Sequence, residues 1–510
     1  MRSPNYWTRR EFLWTSLVGA AAYLCGPSAR ASQETPLIED AQLLGLTARQ
    51  AVTLLQTGDL LAERYAMALL AQCRRLRDIN AFIWFDETRV LEEARAADNR
   101  RGSGAKPGLL HGLPIAVKDN IDTANAPTSA GTPALRTHRP TSDAPVVKSL
   151  FSAGAILLGK TNMHELAYGI TSNNAAFGPV RNPYDRSLIP GGSSGGTGAA
   201  IAARMCSAGL GTDTGGSVRI PAALCGIVGL RPTVGRYPGR GIVPISHTRD
   251  TAGPMARSVE DLVLFDSVIT GDFTPVPPAS LEGARIGVPR GLFYGNLDAE
   301  MAPVIEAALA ALRDAGCVLV EADIPDVEKL GVAATAPISF YESLHDLTRY
   351  LGESGSSLTV EDIVEKISSP DVKAIYDTFI VGPKAPTREA YLNALESGRP
   401  ALQAAYRNYF AAQNVPAIIF PTTPLPARPI GQDAEVELNG KKVSTFFTYL
   451  RNSRPASTAG IPGLSLPVGV TAQGLPVGLE FDAPAGSDRS LLGLCLAAER
   501  VFGRLPAPML

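Results

Sequence analysis

An α/β layer fold is the structure that this sequence predicts. Short apolar runs, which are typical of buried strands, alternate along the chain with segments of helical periodicity. The chain has 510 residues, of which 45% are hydrophobic, so it can form a large core. Its 49 glycines and 40 prolines favour many turns and argue against a helical bundle. No linker-like segment interrupts residues 32–510, and we predict a single domain there.

The first 31 residues have the pattern of an export signal. Arg9 and Arg10 precede an apolar run, Phe12 to Cys25, and the small-residue pattern Ala29-Arg30-Ala31 follows. A twin arginine before such a run is typical of the bacterial Tat route. The apolar run is too short for a comfortable transmembrane helix. We therefore predict a Tat signal peptide, a periplasmic or secreted protein, and no stable membrane insertion after signal removal. An uncleaved N-terminal anchor is the alternative.

The domain is predicted to begin with helices and to continue with buried strands. Residues 40–100 carry apolar side chains at helical spacing, and a Gly-rich loop, 101–112, ends them. Leu113 to Val117 and Ala155 to Leu158 are short apolar runs of the kind that buried strands show. A helix is predicted over 195–208, where small and apolar residues follow a Gly/Ser loop.

The second half repeats the alternation of strands and helices. A strand signal, an amphipathic helix and a second strand occupy 284–290, 299–315 and 317–321. Polar-faced helices are predicted over most of 335–412. The remaining predictions are a strand at 415–420, Gly/Pro-rich strand segments within 460–482, and a closing helix at 491–502.

Composition and charge exclude several classes of function. The net charge of −2 leaves no positive excess to neutralise phosphates, so we predict no nucleic-acid partner. The high apolar fraction excludes a mainly disordered chain. None of the six cysteines forms a Cys-x-x-Cys pair, and no two of the five histidines have helical ligand spacing. We therefore predict no metal site and no cofactor.

Two glycine-rich segments match the residue patterns of known motifs but not the local structure that those motifs require. Gly154 to Thr161 matches a P-loop, but its four central residues are Ala-Ile-Leu-Leu, which favours a buried strand over an exposed phosphate-binding loop. Gly192 to Gly196 contains the Gly-x-Ser-x-Gly elbow of α/β-hydrolases, centred on Ser194. That elbow requires a preceding strand, whereas Asn182 to Pro190 is rich in turn residues.

A third motif, Gly211 to Pro221, places consecutive glycines beside Ser217. The backbone N–H groups of such a run can converge on one point, which is the geometry of an oxyanion hole. Lys118 follows the predicted strand 113–117, and Ser193 lies in the loop 190–196. A lysine and two serines in this order and spacing are far more specific than any one motif.

In these residues the chain resembles the amidase signature family, whose hallmark is a Ser–cis-Ser–Lys triad. The similarity covers most of the chain and is densest from His111 to Pro232. It extends to Pro421-Thr422-Thr423-Pro424 and to Gly460-Ile461-Pro462-Gly463. The fold that the resemblance implies is a large mixed β-sheet covered by helices on both faces.

The resemblance also implies a role for each residue of the site. Ser217 would be the nucleophile, Ser193 the serine after a cis peptide bond, and Lys118 the base. The backbone N–H groups of Thr214, Gly215 and Gly216, with that of Ser217, would bind the oxyanion. Around the nucleophile, the residues in supporting positions would be Ser194, Asp213 and Arg219. For Asp213 and Arg219, a purely structural ion pair is an equal alternative.

Elementary chemistry is compatible with these roles. A serine hydroxyl is a poor nucleophile near neutral pH and needs an adjacent base. No histidine lies in the three motifs, and a lysine can serve when burial favours its neutral amine. Lys118 ends an apolar run, so burial is expected. Asp119 would oppose a neutral amine if its carboxylate lay close.

The substrate is less well determined. Residues 235–251 resemble the branch of the family that holds indoleacetamide and mandelamide hydrolases, which act on small primary arylacetamides. Phe340, Tyr341 and the pair Phe446-Phe447 are candidates to line an aromatic pocket. Export instead favours an extracellular peptide amide or an anilide. The family member that supplies ammonia to a tRNA reaction is a poor fit, because it is cytoplasmic and works with partner subunits.

Two other classes of protein function are compatible with the sequence. One is an esterase-type serine hydrolase that uses Ser194 and a histidine. The other is an exported binding protein that keeps the fold without catalysis, which an intact Lys118, Ser193 and Ser217 disfavour. The partner expected from sequence is a small-molecule amide, and a homodimer is compatible with it.

Overall fold

An 11-stranded mixed β-sheet forms the centre of the computed structural model, which describes residues 39–510. The predicted signal peptide, residues 1–31, lies outside the described residues. Two further sheets have two strands each. The strands are β1 Phe82–Trp84, β2 Pro114–Lys118, β3 Ile156–Thr161, β4 Asn173–Asn174, β5 Gly178–Pro179, β6 Ala208–Asp213, β7 Val228–Arg231, β8 Thr251–Ala256, β9 Arg285–Val288, β10 Val318–Glu321, β11 Ile418–Pro421, β12 Glu435–Leu438, β13 Lys441–Ser444, β14 Gly463–Val470 and β15 Pro476–Asp482.

The large sheet has the strand order β1-β3-β2-β6-β8-β7-β14-β15-β11-β9-β10. Parallel pairs lie on both sides of an antiparallel centre. Strands β3, β2 and β6 run parallel, as do β11, β9 and β10. Each successive pair from β6 through β8, β7, β14 and β15 to β11 is antiparallel, and so is the pair of β1 and β3. The sheet is therefore mixed, as the family resemblance implies.

The α-helices are α1 Asp40–Gly45, α2 Ala48–Thr57, α3 Ala62–Arg75, α4 Glu87–Gly102, α5 Pro145–Ser152, α6 Gly195–Ala202, α7 Arg219–Leu224, α8 Val259–Thr270, α9 Arg290–Phe293, α10 Ala302–Asp314, α11 Val327–Glu353, α12 Val360–Glu365, α13 Pro370–Ile375, α14 Arg388–Asn393, α15 Arg399–Gln413, α16 Thr445–Leu450, α17 Arg454–Ala459 and α18 Asp488–Phe502. Local signals set several of their ends. Thr47 and Thr359 form capping boxes at the starts of α2 and α12, and Gly271 ends α8 at a φ of 72°.

Helices pack on both faces of the sheet, which confirms the predicted fold. Helices α7 and α18 both contact β14 and β15. A Cβ on Gly478 of β15 would meet Ala223 of α7, whereas Gly469 of β14 approaches Val304 of α10. Helix α10 also contacts α18, so α7 lies on one face and these two helices lie on the other. Residues 39–510 form one compact unit, and the single domain predicted over 32–510 stays a prediction.

Most predicted elements are present with shifted ends. The helix predicted over 195–208 ends at Ala202, and β6 begins at Ala208. The predicted helix is thus present, but its predicted end was wrong, because Arg204 has a φ of 59° outside the helical range and pairing with β8 holds Ala208 extended. Strands β1, β7 and β8 were not predicted, for they are short or rich in glycine and proline.

The parallel pair β2 and β6 places the first site residue. Ala116 and Val117 pair with Gly209 and Leu210, so both strands end at the same edge of the sheet. Lys118 is the last residue of β2, and Thr212 lies at the end of β6. Carboxyl ends of parallel strands are common positions for functional side chains.

Two further observations concern the sequence predictions. The five cysteines within the described range, Cys73, Cys206, Cys225, Cys317 and Cys495, are buried and free. None of the helices in residues 39–510 combines the length and the apolar character needed to cross a membrane.

Candidate active site

Lys118 and Ser193 are in direct contact beneath the edge of the sheet. Lys118 Nζ lies 2.8 Å from Ser193 Oγ and 2.7 Å from Thr212 Oγ1. Asn120 Nδ2 also donates to Thr212 Oγ1, at 3.1 Å. Lys118, Ser193 and Asn120 are buried, so this polar group is sealed from bulk water. Thr212 and Asn120 were not among the predicted site residues, since single polar residues in a chain give no separate signal.

Burial lowers the pKa of Lys118 to about 7, although the charges of Asp213 and Asp250 oppose this shift. A substantial fraction of the side chain is therefore a neutral amine near neutral pH. Asp119, whose carboxylate would oppose a neutral amine if it lay close, forms no hydrogen bond or ion pair with Lys118. Its carboxylate accepts from the backbone N–H and hydroxyl of Ser129 and faces Lys160, whose Nζ is 3.5 Å away.

The loop before α6 carries Ser193 and Ser194. The peptide bond between Gly192 and Ser193 is cis, as the resemblance implies. Ser194 Oγ bonds to the backbone oxygen and nitrogen of Thr212, at 3.2 and 3.3 Å, and Ser194 N donates to Ser217 O at 3.2 Å. Ser194 thus fastens the loop to β6 and to the segment that contains Ser217.

Ser217 lies between β6 and α7 and lines a mainly apolar cavity. Within residues 39–510, no hydrogen bond engages its hydroxyl, which leaves the oxygen available to a ligand. The backbone N–H groups of Thr214, Gly215, Gly216 and Ser217 likewise have no backbone acceptor among the described residues. A run of unengaged N–H groups beside a serine hydroxyl is a suitable environment for a developing oxyanion.

Gly216 must be glycine for two reasons. Its φ of 144° is rarely adopted by other residues, and a Cβ there would lie 2.2 Å from Ser453 Oγ. Ser453 Oγ in turn donates to Gly215 O at 2.7 Å. The α16–α17 junction therefore supports the glycine run from behind.

A buried ionic network supports the same segment. Arg219 Nε and Arg231 Nη1 each lie 3.0 Å from carboxylate oxygens of Asp213, and Arg219 also pairs with Glu480 of β15. Asp213 Oδ2 accepts from Val218 N at 3.2 Å. The predicted pair of Asp213 and Arg219 is thus present, and it belongs to a larger network whose other members the sequence did not indicate.

Two acids of the network, Asp213 and Asp482, have pKa values shifted in opposite directions. Although burial opposes it, Arg219 and Arg231 hold the pKa of Asp213 well below its usual range. Burial, together with the neighbouring Glu480, raises the pKa of Asp482 well above its usual value. The two guanidinium groups thus favour the ionised form of Asp213, whereas burial and Glu480 favour the protonated form of Asp482.

The cavity beside Ser217 has a volume of about 260 Å³ and a mainly apolar wall. Three of the four predicted aromatic residues, Phe340, Phe446 and Phe447, line it, together with Tyr168. The prediction was wrong for Tyr341, whose ring stacks on Tyr391 at 4.3 Å between centroids. Successive residues of α11 point in different directions, so Phe340 faces the cavity and Tyr341 does not.

A potential metal-ligand cluster lies outside this cavity's lining. His247, Glu342 and Asp346 place one ligand-type atom each within 4.8 Å of the others. Asp346 Oδ2 accepts from the backbone and Nδ1 of His247, and Glu342 Oε2 accepts from Thr248. These carboxylates already fasten the segment before β8 to α11, which accounts for them without an ion.

The two glycine-rich motifs set aside on sequence have structural roles. Residues 156–161 form the buried strand β3 and not a phosphate-binding loop. No strand leads directly into the loop that contains Ser194. No histidine within the described part of the chain forms a hydrogen bond with Ser194. The geometry therefore gives no support to a nucleophile at Ser194.

Comparison with known proteins identifies the family. The amidase family model matches residues 66–492. The chain belongs to the amidase family. This membership confirms the resemblance seen in the sequence, and with it a hydrolase that acts on amide C–N bonds.

Two curated relatives of this amidase are similar along most of their length. Indoleacetamide hydrolase of Agrobacterium vitis is 48% identical over 434 residues, which are 85% of this chain and 92% of the relative. Mandelamide hydrolase of Pseudomonas putida is 40% identical over 479 residues, which are 91% of this chain and 92% of the relative.

Solved structures agree with the sequence comparison. One crystal structure of an amidase has a TM-score of 0.80 and 33% identity, and covers 90% of this chain and 100% of its own. The peptide amidase of Stenotrophomonas maltophilia has a TM-score of 0.77 and 32% identity, with 91% of this chain and 98% of its own covered. The fold and the amide-hydrolase class are therefore the same by sequence and by structure.

Proposed function

We propose that this amidase cleaves small primary aryl amides to a carboxylic acid and ammonia through an acyl-enzyme on Ser217. The observation that carries the proposal is the buried contact between Lys118 Nζ and Ser193 Oγ beside a cavity that Ser217 lines. A relay serine and a base of suitable pKa are thus in contact, and the residue after the relay serine, Ser194, donates its backbone N–H to Ser217 O.

In the first step, Ser217 Oγ bonds to the amide carbonyl carbon. The Ser217 proton passes to Ser193 Oγ as the Ser193 proton passes to Lys118 Nζ. The carbonyl oxygen takes the electron pair of the C=O π bond, and the N–H groups of the segment 214–217 stabilise its charge. Ser194 supports this step by holding Ser193's loop against Ser217, through its bond to Ser217 O.

In the second step, the carbonyl reforms and the C–N bond breaks. The leaving nitrogen takes a proton from Ser193, which regains one from the Lys118 ammonium, and ammonia departs. Water then attacks the ester carbon and gives its proton to the same relay. The relay returns that proton to Ser217 Oγ as the C–O bond to Ser217 breaks, so the acid leaves and the Ser217 hydroxyl is restored.

Two observations support a small aryl amide as the substrate. The cavity is apolar and partly aromatic, with Tyr168, Phe340 and Phe446 in its wall, so it suits a compact aromatic acyl group. The similar indoleacetamide and mandelamide hydrolases are named for aryl amides. A second candidate substrate is an amidated peptide, because one of the similar solved structures is a peptide amidase.

Ammonia release from a substrate panel tests this proposal. The panel contains phenylacetamide, indoleacetamide, aliphatic amides and C-terminally amidated peptides, with an anilide assayed for aniline and an ester assayed for alcohol. We expect the arylacetamides to give the highest kcat/KM. A higher kcat/KM for the peptides, the anilide or the ester would replace the arylacetamide proposal with that activity.

Matched serine variants test the assigned roles. Ser217→Ala is expected to abolish turnover, because no other hydroxyl can form the acyl-enzyme. Ser194→Ala is expected to retain part of the activity, since its hydroxyl contacts only the backbone of Thr212. Covalent labelling of Ser194 with a serine-directed phosphonate, in place of Ser217, would overturn the assignment and favour the esterase-type alternative.

We propose in addition that residues 1–31 direct Tat export to the periplasm or beyond. The twin arginine, the apolar run and the Ala-Arg-Ala pattern support it. Arg9→Lys with Arg10→Lys should retain the protein in the cytoplasm, whereas Arg30→Lys should not. Equal export of both variants would contradict the proposal, and the N-terminal sequence of exported protein would show whether cleavage follows residue 31.

A further inference from the structure

The cavity beside Ser217 contains positive charge and no acidic side chain. Its lining includes the guanidinium groups of Arg249 and Arg454, and none of its lining residues is an aspartate or a glutamate. The rest of the wall is mainly apolar. A ligand in this cavity therefore meets two cations in surroundings of low polarity, where charges interact more strongly than in water.

Arg249 is buried without an ionic partner. Only 3% of the residue is exposed, and within residues 39–510 no carboxylate lies within 4.0 Å of its guanidinium. Nη1 donates to Ser339 Oγ, which also lines the cavity, while Nε has no hydrogen-bond partner. Other buried arginines of the site differ in this respect, because Arg219 and Arg231 both pair with Asp213.

The surroundings of Arg249 do not remove its charge. Burial and the nearby Arg231 lower the pKa of Arg249 to about 10, which leaves it protonated near neutral pH. Asp250, the adjacent carboxylate, is occupied by Thr214 Oγ1 and by the backbone N–H groups of Ile245 and Ser246. A buried cation without a close anion is unfavourable unless a ligand supplies the anion.

Arg249 is also close to the reacting group. Its Nη2 lies 3.8 Å from the position that a Cβ on Gly215 would occupy. Gly215 belongs to the N–H run beside Ser217. An acyl group attached to Ser217 would therefore have its carbonyl end near this guanidinium.

The reaction changes the charge of what the cavity holds. The amide substrate is neutral, whereas the acid released from Ser217 ionises to a carboxylate. A planar guanidinium binds a carboxylate with two charge-assisted hydrogen bonds, which a neutral amide cannot match. The ligand that best completes this cavity is thus an aromatic carboxylate and not the amide that precedes it.

We propose that Arg249 makes the active-site cavity a binding site for small aromatic carboxylates, so that the enzyme retains its acid product and is competitively inhibited by it. This inference rests on the proposed function, because the acid is the product of that reaction. The aromatic walls hold the ring, and the unpaired guanidinium holds the carboxylate.

Titration calorimetry on a Ser217→Ala protein tests the proposal without turnover. The two probes are phenylacetate and phenylacetamide, which have nearly the same shape and differ in charge. We expect phenylacetate to bind at least about tenfold more tightly, as charge-assisted hydrogen bonds allow. With Arg249→Met added, the two affinities should become equal within about threefold, a difference below roughly 1 kcal/mol.

Two further variants keep the test decisive. Arg249→Lys keeps the charge but not the planar fork, so it should keep part of the preference and serves if Arg249→Met fails to fold. Arg451→Met removes a half-buried arginine that does not line the cavity, and it should leave the preference unchanged. Equal binding of acid and amide, or a preference that survives the loss of Arg249, would overturn the proposal.

Steady-state kinetics of the wild-type enzyme provides the second readout. Phenylacetate should inhibit ammonia release competitively, with an inhibition constant at least about tenfold below the KM of phenylacetamide. Absence of amide turnover would contradict the proposed function. Normal turnover with no inhibition by the acid would instead contradict this inference, so the two failures are distinguishable.

Discussion

At the scale of single residues, the environment of Lys118 decides whether the site can work. The side chain is buried, and its pKa is lowered to about 7 by that burial. Its sequence position suggested a buried base, but only the structure shows the hydroxyls of Ser193 and Thr212 around its nitrogen. The carboxylate next to it in sequence, Asp119, is directed away to Ser129.

The pH dependence of the reaction follows from Lys118. The neutral amine is the active form, and its fraction rises as the pH passes through the lowered pKa of about 7. We expect kcat/KM for phenylacetamide to fall on the acid side with a midpoint near that value. A profile that stays flat between about pH 6 and 9 would contradict a base at Lys118.

Replacement of Lys118 by an apolar residue should abolish activity without lowering the stability of the fold. A lysine whose folded-state pKa is lowered destabilises the fold at every pH below its unfolded value of 10.5. Lys118→Met should therefore abolish turnover while the free energy of unfolding at pH 7 stays equal or rises by about 1–4 kcal/mol, as for other buried charges replaced by apolar groups. Urea denaturation checks this, and a large loss of stability would contradict it.

Gly216 allows a test of the glycine run. Gly216→Ala combines a φ of 144° with a Cβ 2.2 Å from Ser453 Oγ, so the N–H groups beside Ser217 must shift. We expect a loss of about 1–3 kcal/mol in stability and a fall of about 10²-fold in kcat. Gly235→Ala is the control, because its φ is 84° and nothing lies within 4 Å of its Cβ. Equal kcat values for the two variants would contradict the proposed oxyanion hole.

At the scale of elements, the ionic network joins β6, β7, α7 and β15 behind the nucleophile. Asp213 ends β6, Arg219 begins α7, and Arg231 ends β7. Glu480 and Asp482 of β15 complete the group. These elements are far apart in the chain, so sequence reasoning found the pair Asp213–Arg219 and missed the rest.

Replacement by asparagine should change the stability of the protein differently at Asp213 and at Asp482. Asp213→Asn leaves Arg219 and Arg231 without their shared carboxylate and should cost about 3–5 kcal/mol of unfolding free energy at pH 7. Asp482→Asn replaces a carboxyl whose protonated form is favoured by burial and Glu480, so it should leave the unfolding free energy at pH 7 unchanged or raise it. Chemical denaturation of both variants measures this, and equal losses of unfolding free energy would contradict a raised pKa at Asp482.

Their pH dependence has opposite signs. The pKa of Asp213 is lowered on folding, so its contribution is present above the unfolded value and is lost as the pH falls. The pKa of Asp482 is raised, so its contribution is present below the unfolded value and is lost as the pH rises through the folded one. Asp482→Asn should therefore flatten the decline of stability that begins as the pH rises above the unfolded value of 3.8.

At the scale of the whole molecule, the acyl cavity is formed where the strand–helix loops meet α11 and α16. Residues from five distant parts of the chain line it, among them Tyr168, Ser217, Arg249, Phe340 and Phe446. Phe340 also stacks on Phe379, with 5.2 Å between ring centroids, which fixes its position in the wall. The size and polarity of this cavity, and hence the substrate preference, are properties of the assembled fold.

Neighbouring residues of α11 test the acyl cavity. Phe340→Ala should raise the KM of phenylacetamide about tenfold or more relative to that of an aliphatic amide, because it removes an aromatic wall. Tyr341→Ala should leave the ratio unchanged, since Tyr341 stacks on Tyr391 outside the lining. If both variants change the ratio equally, the cavity is not the acyl site.

The sequence by itself determined the fold class and the family, and it predicted the three central residues, of which Lys118 and Ser193 lie in contact. It could do so because Lys118, Ser193 and Ser217 lie in local motifs whose glycines and apolar runs constrain the backbone. Only the tertiary structure decided the pairing of β6 with β2, the partners of Asp213, the exclusion of Tyr341 from the cavity, and the unpaired charge of Arg249. Those features depend on contacts between segments far apart in the chain, and local residue patterns do not record which distant side chains meet.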